Sequence, residues 1–155
     1  MIQTDINYPD GLPWPTREGY STRSESPFMR TKLTTGRARQ RRMYTSVPSE
    51  YKVNFVFEGD FQVGYFELWF KEVLKDGAEW FNAKLKTPLG LGSYVCRFSE
   101  MYDGPDLVGL CSWRISATLE MWERPLLDKE FLEFPEYMLE ASIIDIAVNE
   151  KWPAA

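Results

Sequence analysis

This chain of 155 residues contains no histidine, carries a net charge of −5 and is rich in aromatic residues, which make up 15% of it. The absence of histidine removes the commonest general base and metal ligand, and with it catalytic triads of the Ser-His-Asp or Cys-His type. The length and the 44% hydrophobic content indicate a folded chain with one core. We therefore expect a protein that is not an enzyme, with no catalytic residue, no cofactor and no metal.

The sequence also gives expectations about the compartment. No apolar run approaches the roughly 18 residues that cross a bilayer, and the N-terminus lacks the basic and then apolar pattern of a signal peptide. We therefore expect a cytoplasmic origin and no membrane partner. Cys96 and Cys111 should then be reduced, and both are predicted to be buried thiols, because two cysteines without histidine do not make a standard structural zinc site.

Charge is divided unevenly along the chain. Residues 1–42 carry eight Lys/Arg against four Asp/Glu, a net +4, whereas residues 43–155 carry ten against nineteen, a net −9. Most of the positive charge lies between Arg30 and Arg42, and arginine binds carboxylates and phosphates through paired hydrogen bonds. The two parts of the chain are therefore expected to attract each other or their neighbours.

The first 29 residues predict an extended N-terminal arm, because four prolines interrupt any regular element of useful length. Aromatic residues are spaced along this arm as anchors for a partner surface. They are Tyr8, Trp14, Tyr20 and Phe28. The alternative is a lead-in that covers its own domain, and the residues alone do not decide between the two.

A hairpin is predicted next. Residues 41–47 alternate as in a strand with one solvated or partner-facing side. Residues 51–58 follow, with Val53, Phe55 and Phe57 on one face. The two strands should form a hairpin that leads directly into a helix.

The following stretch has the periodicity of an amphipathic helix, predicted over residues 60–75. Its apolar face is predicted to contain Phe66, Trp69, Phe70 and Val73. Asp60 is placed to cap the first turn, and Gly77 can adopt the left-handed conformation that ends a helix.

Beyond the helix, the TPLGLGS segment at residues 87–93 predicts a turn, because proline and glycine are unfavourable inside a strand. Strands over residues 94–98 and 113–123 should form a hairpin with a long loop that contains residues 103–105. The second of these strands has the clearest period-two alternation in the chain. Residues 136–152 have helical spacing and predict a C-terminal helix.

Three interpretations of the basic segment are open. It could bind nucleic-acid phosphates, but base-stacking aromatics are not interleaved with it and the acidic remainder would repel DNA. It could also be a hairpin with a charged, solvated face. A basic arm that reaches an acidic neighbouring subunit fits the charges best, so we expect subunit contacts and no direct nucleic-acid binding.

These interpretations define two predicted residue sets. The predicted subunit interface comprises Arg30, Arg37, Arg39, Arg41, Arg42, Trp14 and Tyr20. The predicted core comprises Phe55, Phe57, Phe66, Trp69, Phe70, Trp80, Phe81, Ile115 and Leu119.

In the order of its elements, the chain resembles the minor tail protein M family of lambda-like phages over residues 19–124. The matching pieces are Gly19-Tyr20-Ser21, the strand around Tyr44 to Phe57, the helix Asp60 to Leu74, Trp80-Phe81 with Thr87-Pro88, and Trp113 to Glu123. The segments GRARQRR, GAEWF and SATLE are also similar to phage tail and virion structural proteins. The proline-rich N-terminus and residues 125–155 lie outside this pattern.

The resemblance implies a mainly β (α+β) fold. A tail-tube-like antiparallel β-sandwich would occupy residues 30–124, flanked by one amphipathic helix. The extended arm would precede it at residues 1–29, and a partly helical C-terminal extension would follow at residues 125–155.

The resemblance also implies a virion structural protein that forms a homo-oligomeric ring, expected to be a hexamer. The ring would lie at the distal tail or baseplate and join the tail tube to the tip complex, with the tube, hub and tape measure proteins as partners. The protein would reside in the virion tail after assembly in the host cytoplasm. The alternatives are a tail terminator or a head-tail connector, and after these a nucleic-acid-binding module.

Overall fold

The computed structural model describes residues 3–34 and 36–139, and the chain divides into two compact units, Met1–Arg124 and Pro125–Ala155. The strands are β1 (Ser21–Ser24), β2 (Phe28–Thr31), β3 (Arg39–Arg42), β4 (Ser49–Glu58), β5 (Phe81–Thr87), β6 (Gly90–Phe98), β7 (Asp103–Val108) and β8 (Ser112–Met121). The helices are α1 (Asp60–Glu72) and α2 (Pro135–Leu139), with a 3-10 turn at Lys129–Leu132. The predicted mainly β, α+β class is confirmed.

Six strands of the first unit form one antiparallel sheet. Its order is β1-β4-β8-β6-β5, and β7 pairs with the beginning of β8. The longest pairing joins β4 to β8, from Ser49 opposite Met121 to Glu58 opposite Ser112. Both strands bury every second side chain, so the sheet has one apolar face and one more polar face.

Helix α1 lies on the apolar face of this sheet. Its Phe66 packs against Phe57 with ring centroids 5.2 Å apart. The prediction that Val73 belongs to the buried side is wrong, because its side chain is 42% exposed. Phe66, Phe70 and Leu74 are spaced four residues apart and centre the buried stripe away from Val73. The helix also ends at Glu72, before the predicted residue 75.

The predicted Asp60 cap is wrong as well. Gly59 is the N-cap, with φ 115°, and no side chain caps the helix at this position. Asp60 is the first helical residue, and its Oδ1 accepts a hydrogen bond of 2.7 Å from the Trp113 indole Nε1. The carboxylate therefore ties the start of α1 to β8.

The layer that covers the apolar face consists of α1 and the N-terminal segment. The second sheet is a two-stranded ribbon of β2 and β3, and its eight residues are all exposed.

Of the nine predicted core residues, eight are buried and Trp80 is only half-buried. Trp80 meets Trp122 edge-on at 5.3 Å, and the Arg97 guanidinium lies 4.6 Å from its ring centroid.

The N-terminal segment passes from one edge strand to another strand of the sheet. Tyr8 N–H donates to Asn82 O in β5 at 2.9 Å, and Thr16 N–H donates to Asn54 O in β4 at 2.8 Å. Within this stretch the side chains of Tyr8 and Leu12 are buried in the core. Residues 4–16 therefore cover their own domain, and the predicted boundary between residues 29 and 30 falls inside β2.

The predicted hairpin between residues 41–47 and 51–58 is wrong. Strand β3 pairs with β2, whereas the two edges of β4 are occupied by β1 and β8. The chain after β3 instead closes on the residue before β2, because Met43 N–H and Tyr44 N–H both donate to Pro27 O, and β1 takes the place beside the beginning of β4.

The predicted turn at residues 87–93 is instead a tight hairpin between β5 and β6. Thr87 pairs with Gly90 across a two-residue turn, so Gly90 and Gly92 both lie in β6. A Cβ at Gly92 would lie 3.2 Å from the ring of Tyr94. Glycine therefore makes room for an aromatic side chain inside this strand.

The predicted loop at residues 103–105 is also part of a strand. It begins β7, which pairs with β8 from Asp103 opposite Ser116 to Val108 opposite Ser112. An irregularity between Asp103 and Asp106 interrupts the register. A bulge of this kind accommodates glycine and proline that a regular strand interior would disfavour.

The two cysteines differ in exposure. Cys96 is buried in β6, and burial raises the pKa of its thiol. Cys111 is exposed in the turn between β7 and β8, so its predicted burial is wrong. In the second unit, the predicted helix over residues 136–152 lies largely outside the described residues, and the described part is α2.

Candidate subunit interface

The ribbon of β2 and β3 carries the basic residues that the sequence singles out. The strands are antiparallel, with Phe28 opposite Arg42 and Thr31 opposite Arg39. Residues 26–48, which we call the basic ribbon, contain six Lys/Arg and no Asp/Glu. Among the described residues, β2 and β3 form no ladder with the six-stranded sheet. The basic ribbon is therefore a concentrated positive charge outside the sheet that contains the core.

The base of the basic ribbon is fixed where β1 meets β4. Pro27 O accepts hydrogen bonds from Met43 N–H at 2.8 Å and from Tyr44 N–H at 3.1 Å. Ser24 and Ser49 are paired residues of β1 and β4, and their hydroxyl oxygens lie 3.2 Å apart. The chain therefore enters the basic ribbon after Ser24 and returns to the sheet at Ser49, and these two residues pair with each other.

Arg42 has a structural role within the basic ribbon. Its Nε donates to Tyr44 O at 2.9 Å, and its Nη2 donates to Thr45 O at 2.8 Å. The guanidinium therefore satisfies the carbonyls of the chain that returns from β3 to β4. Of the five predicted interface arginines, this one is already used inside its own subunit.

The remaining arginines are divided between the two sides of the ribbon. Arg39 and Arg41 share one side with Met29, which pairs with Arg41. Arg30 lies on the other side with Phe28, and Arg37 lies in the connection between the strands. No ion pair to any of these arginines occurs within residues 3–34 and 36–139. Exposed arginine beside methionine and phenylalanine is a composition typical of protein interfaces.

Trp14 and Tyr20, the other two predicted interface residues, lie in a different place. They line a groove beside β5 together with Lys84 and Lys86. The Tyr20 hydroxyl donates to Lys86 O at 2.8 Å, and burial raises the Tyr20 pKa to about 12. The structure therefore places the seven predicted residues on two surfaces.

Sequence reasoning missed the lysines of this second surface. Lys84 and Lys86 alternate with the buried residues Ala83 and Leu85 in β5. This alternation is a period-two signal that could have identified the strand and its solvent side. The assignment of the next residues to a turn concealed it.

A cleft of about 240 Å³ on the sheet carries the opposite charge from the basic ribbon. Its charged lining residues are Glu100, Asp103 and Lys52, so acids outnumber bases. Glu100 Oε1 accepts a hydrogen bond of 3.3 Å from the Thr118 hydroxyl. Glu100 and Asp103 are both exposed and can pair with cations from outside the subunit.

The described residues contain no cluster of three or more His, Cys, Asp or Glu side chains that could hold a metal ion. None of the helices in the described part of the chain is long and apolar enough to span a membrane. Comparisons with protein-family models, with curated proteins and with solved structures find no match to this chain.

Proposed function

We propose that this protein is a structural component of a phage virion, which forms a ring at the distal tail or baseplate and joins the tail tube to the tip complex. The observation that carries the proposal is the basic ribbon. It presents six Lys/Arg and no Asp/Glu outside the sheet of its own domain. The resemblance of the element order to minor tail proteins agrees with this role.

A ring requires a contact between two different surfaces of the same protein, so that each subunit binds the next one head to tail. The basic ribbon supplies one surface. The cleft with Glu100 and Asp103 supplies a second surface of opposite charge. Arg39 and Arg41 extend from one side of the ribbon and would pair with these carboxylates. Such pairs would fix the relative orientation of neighbouring subunits as well as attract them.

One observation favours a second function. A two-stranded ribbon with arginines is one of the elements that fit the major groove of DNA. The logarithm of the DNA-binding constant falls linearly with the logarithm of the salt concentration, and the number of phosphate contacts sets the slope. A salt series with duplex and single-stranded DNA therefore separates nucleic-acid binding from subunit association.

The test of the ring contact reverses two charges on one surface. Arg39→Glu with Arg41→Glu should leave the subunit folded and abolish association, measured as mass in solution by light scattering and as rings by electron microscopy. The matched control, Lys71→Glu with Lys86→Glu, makes the same change in charge on α1 and β5, outside the basic ribbon and the cleft. It should associate like the wild type.

A charge swap identifies the acceptor surface. Adding Glu100→Arg and Asp103→Arg to the reversed ribbon should restore association, because the two surfaces are again complementary. Normal association of the reversed ribbon together with loss of DNA binding would contradict the proposal. The position of the protein in the particle distinguishes a distal tail ring from a tail terminator or a head-tail connector.

A further inference from the structure

A groove of about 610 Å³ lies between the N-terminal segment and the β5–β6 hairpin. Trp14, Tyr20 and Leu91 give it apolar walls, and Leu91 is 71% exposed. The charged residues that line it are all cations. They are Arg17, Lys84 and Lys86. The Lys84 Nζ lies 5.1 Å from the centroid of the Trp14 ring, so charge and aromatic surface are adjacent.

The floor of the groove includes the edge of β5. Near its beginning, Asn82 N–H donates to Ile6 O at 2.8 Å and Asn82 O accepts from Tyr8 N–H at 2.9 Å. The backbone groups of Asn82 therefore point away from β6. Because alternate residues of a strand direct their backbone groups to the same side, Lys84 and Lys86 also present theirs to this edge.

The N-terminal segment does not cover the rest of the edge. The parallel pairing ends at Tyr8, and the chain then turns toward β4, where Thr16 N–H donates to Asn54 O. The Tyr20 hydroxyl occupies Lys86 O at 2.8 Å. Within the described residues, no backbone partner outside the β5–β6 pair reaches the N–H and C=O of Lys84 or the N–H of Lys86. Three main-chain groups in succession are therefore open.

We propose that this edge binds an extended acidic segment of a partner protein, which adds to β5 as a short strand. The open groups of Lys84 and Lys86 form its main-chain hydrogen bonds, and Arg17 with the two lysine ammonium groups pairs with its carboxylates. An apolar side chain of the segment packs against Trp14 and Leu91. Strand addition with side-chain contacts is an established way for a sheet edge to recognise an extended peptide.

The charges favour a different protein over a second copy of this chain. Edge-to-edge pairing of two β5 strands would place Lys84 and Lys86 beside the same lysines of the other copy, and like charges across a strand pair are destabilising. Lysines on an exposed edge discourage self-pairing for this reason. An acidic segment removes the repulsion. The inference does not depend on the ring contact, because it uses another surface.

The test uses the full chain and a capped peptide, acetyl-Val-Glu-Val-Glu-Val-amide. Binding should shift the NMR signals of Lys84 and Lys86 and slow hydrogen exchange of their amides. Lys84→Glu with Lys86→Glu should weaken binding by about tenfold or more, since two attractive contacts become repulsive. The control, Lys52→Glu with Lys71→Glu, changes the same charge on other surfaces and should bind like the wild type.

Two further peptides keep the test decisive if the double variant does not fold. The counterpart with lysine in place of glutamate and the N-methylated acidic peptide should both bind at least about tenfold more weakly, since one has the wrong charge and the other lacks main-chain donors. Equal binding of all three peptides, absence of binding, or unchanged exchange at Lys84 and Lys86 would overturn the proposal. Slowed exchange of these amides through self-association without peptide would instead assign the edge to a second copy and also overturn it.

Discussion

The core under α1 and the basic ribbon use large side chains in opposite ways. In the core, Phe57, Phe66 and Ile115 are fully buried and aromatic rings contact one another at 5 to 6 Å. In the ribbon, Phe28 and Met29 are more than 40% exposed beside arginines. Burial of the first set stabilises the fold, whereas exposure of the second set leaves apolar and charged surface available for another molecule.

The difference is also visible in how each region is tied to the chain. The core joins α1, four strands and the N-terminal segment through side chains far apart in sequence. The basic ribbon pairs internally and enters the sheet only between Ser24 and Ser49. We therefore expect substitutions in the core to change stability, and substitutions in the ribbon to change association.

The largest effect is expected for Trp69→Ala. Trp69 is 6% exposed and meets Phe81 edge-on at 5.2 Å and Tyr8 at 5.6 Å. Its removal leaves a cavity and should lower the free energy of unfolding by about 3–5 kcal/mol in urea unfolding. The control Leu68→Ala removes a side chain that is 57% exposed and should change stability by less than about 0.5 kcal/mol. A loss below about 1 kcal/mol for Trp69→Ala would show that this face of α1 does not support the core.

A smaller effect is expected for Tyr8→Phe. The Tyr8 hydroxyl donates to Pro13 O at 2.8 Å, and its loss should lower the free energy of unfolding at neutral pH by about 1 kcal/mol. Tyr44→Phe, in the exposed ribbon, serves as the control and should change it by less than about 0.5 kcal/mol. Equal effects of the two substitutions would contradict the role assigned to the N-terminal segment.

Tyr8 should also make the free energy of unfolding depend on pH in the alkaline range. Burial raises the pKa of Tyr8, and it raises the pKa of Tyr20 and Tyr102 to about 12. The unfolded chain ionises tyrosine near pH 10, so above about pH 10 it binds fewer protons than the folded chain. The free energy of unfolding is therefore fully retained below about pH 10 and falls as the pH rises toward 12. In Tyr8→Phe the free energy of unfolding should fall less steeply with pH. The same slope as in the wild type would contradict a raised pKa for Tyr8.

The smallest effect on stability is expected in the ribbon. Arg39→Glu with Arg41→Glu should change the free energy of unfolding by less than about 0.5 kcal/mol, because both side chains are exposed and have no ion pair among the described residues. Urea unfolding of the monomeric variant measures this. A loss of several kcal/mol would mean that the ribbon belongs to the fold and would remove the contrast between the two regions.

Periodicity predicted the elements that bury one face. The alternation of Ile115, Ala117 and Leu119 identified β8, and the spacing of Phe66 and Phe70 identified α1. In both cases the hydrophobic effect imposes a pattern that can be read from neighbouring residues alone.

Pairing partners could not be read in this way. The ribbon has no buried face, so alternation does not fix its register, and hydrogen bonds to Pro27 O close its base instead. Gly92 is of a residue type common in turns, yet it lies in strand β6. At this position the Tyr94 ring occupies the space that a side chain would fill. The groove beside β5 could not be predicted either, since residues 14–20 reach it only through the path of the folded N-terminal segment.

The most direct test of the central claim removes the basic ribbon completely. Because Ser24 and Ser49 are paired, residues 25–48 can be replaced by Asn-Gly, which favours the two-residue turn of a β-hairpin. The mass of this variant in solution, measured by light scattering beside the wild type, should be that of a monomer with an unfolding transition like that of the wild-type subunit. Rings that persist without the ribbon would contradict the account.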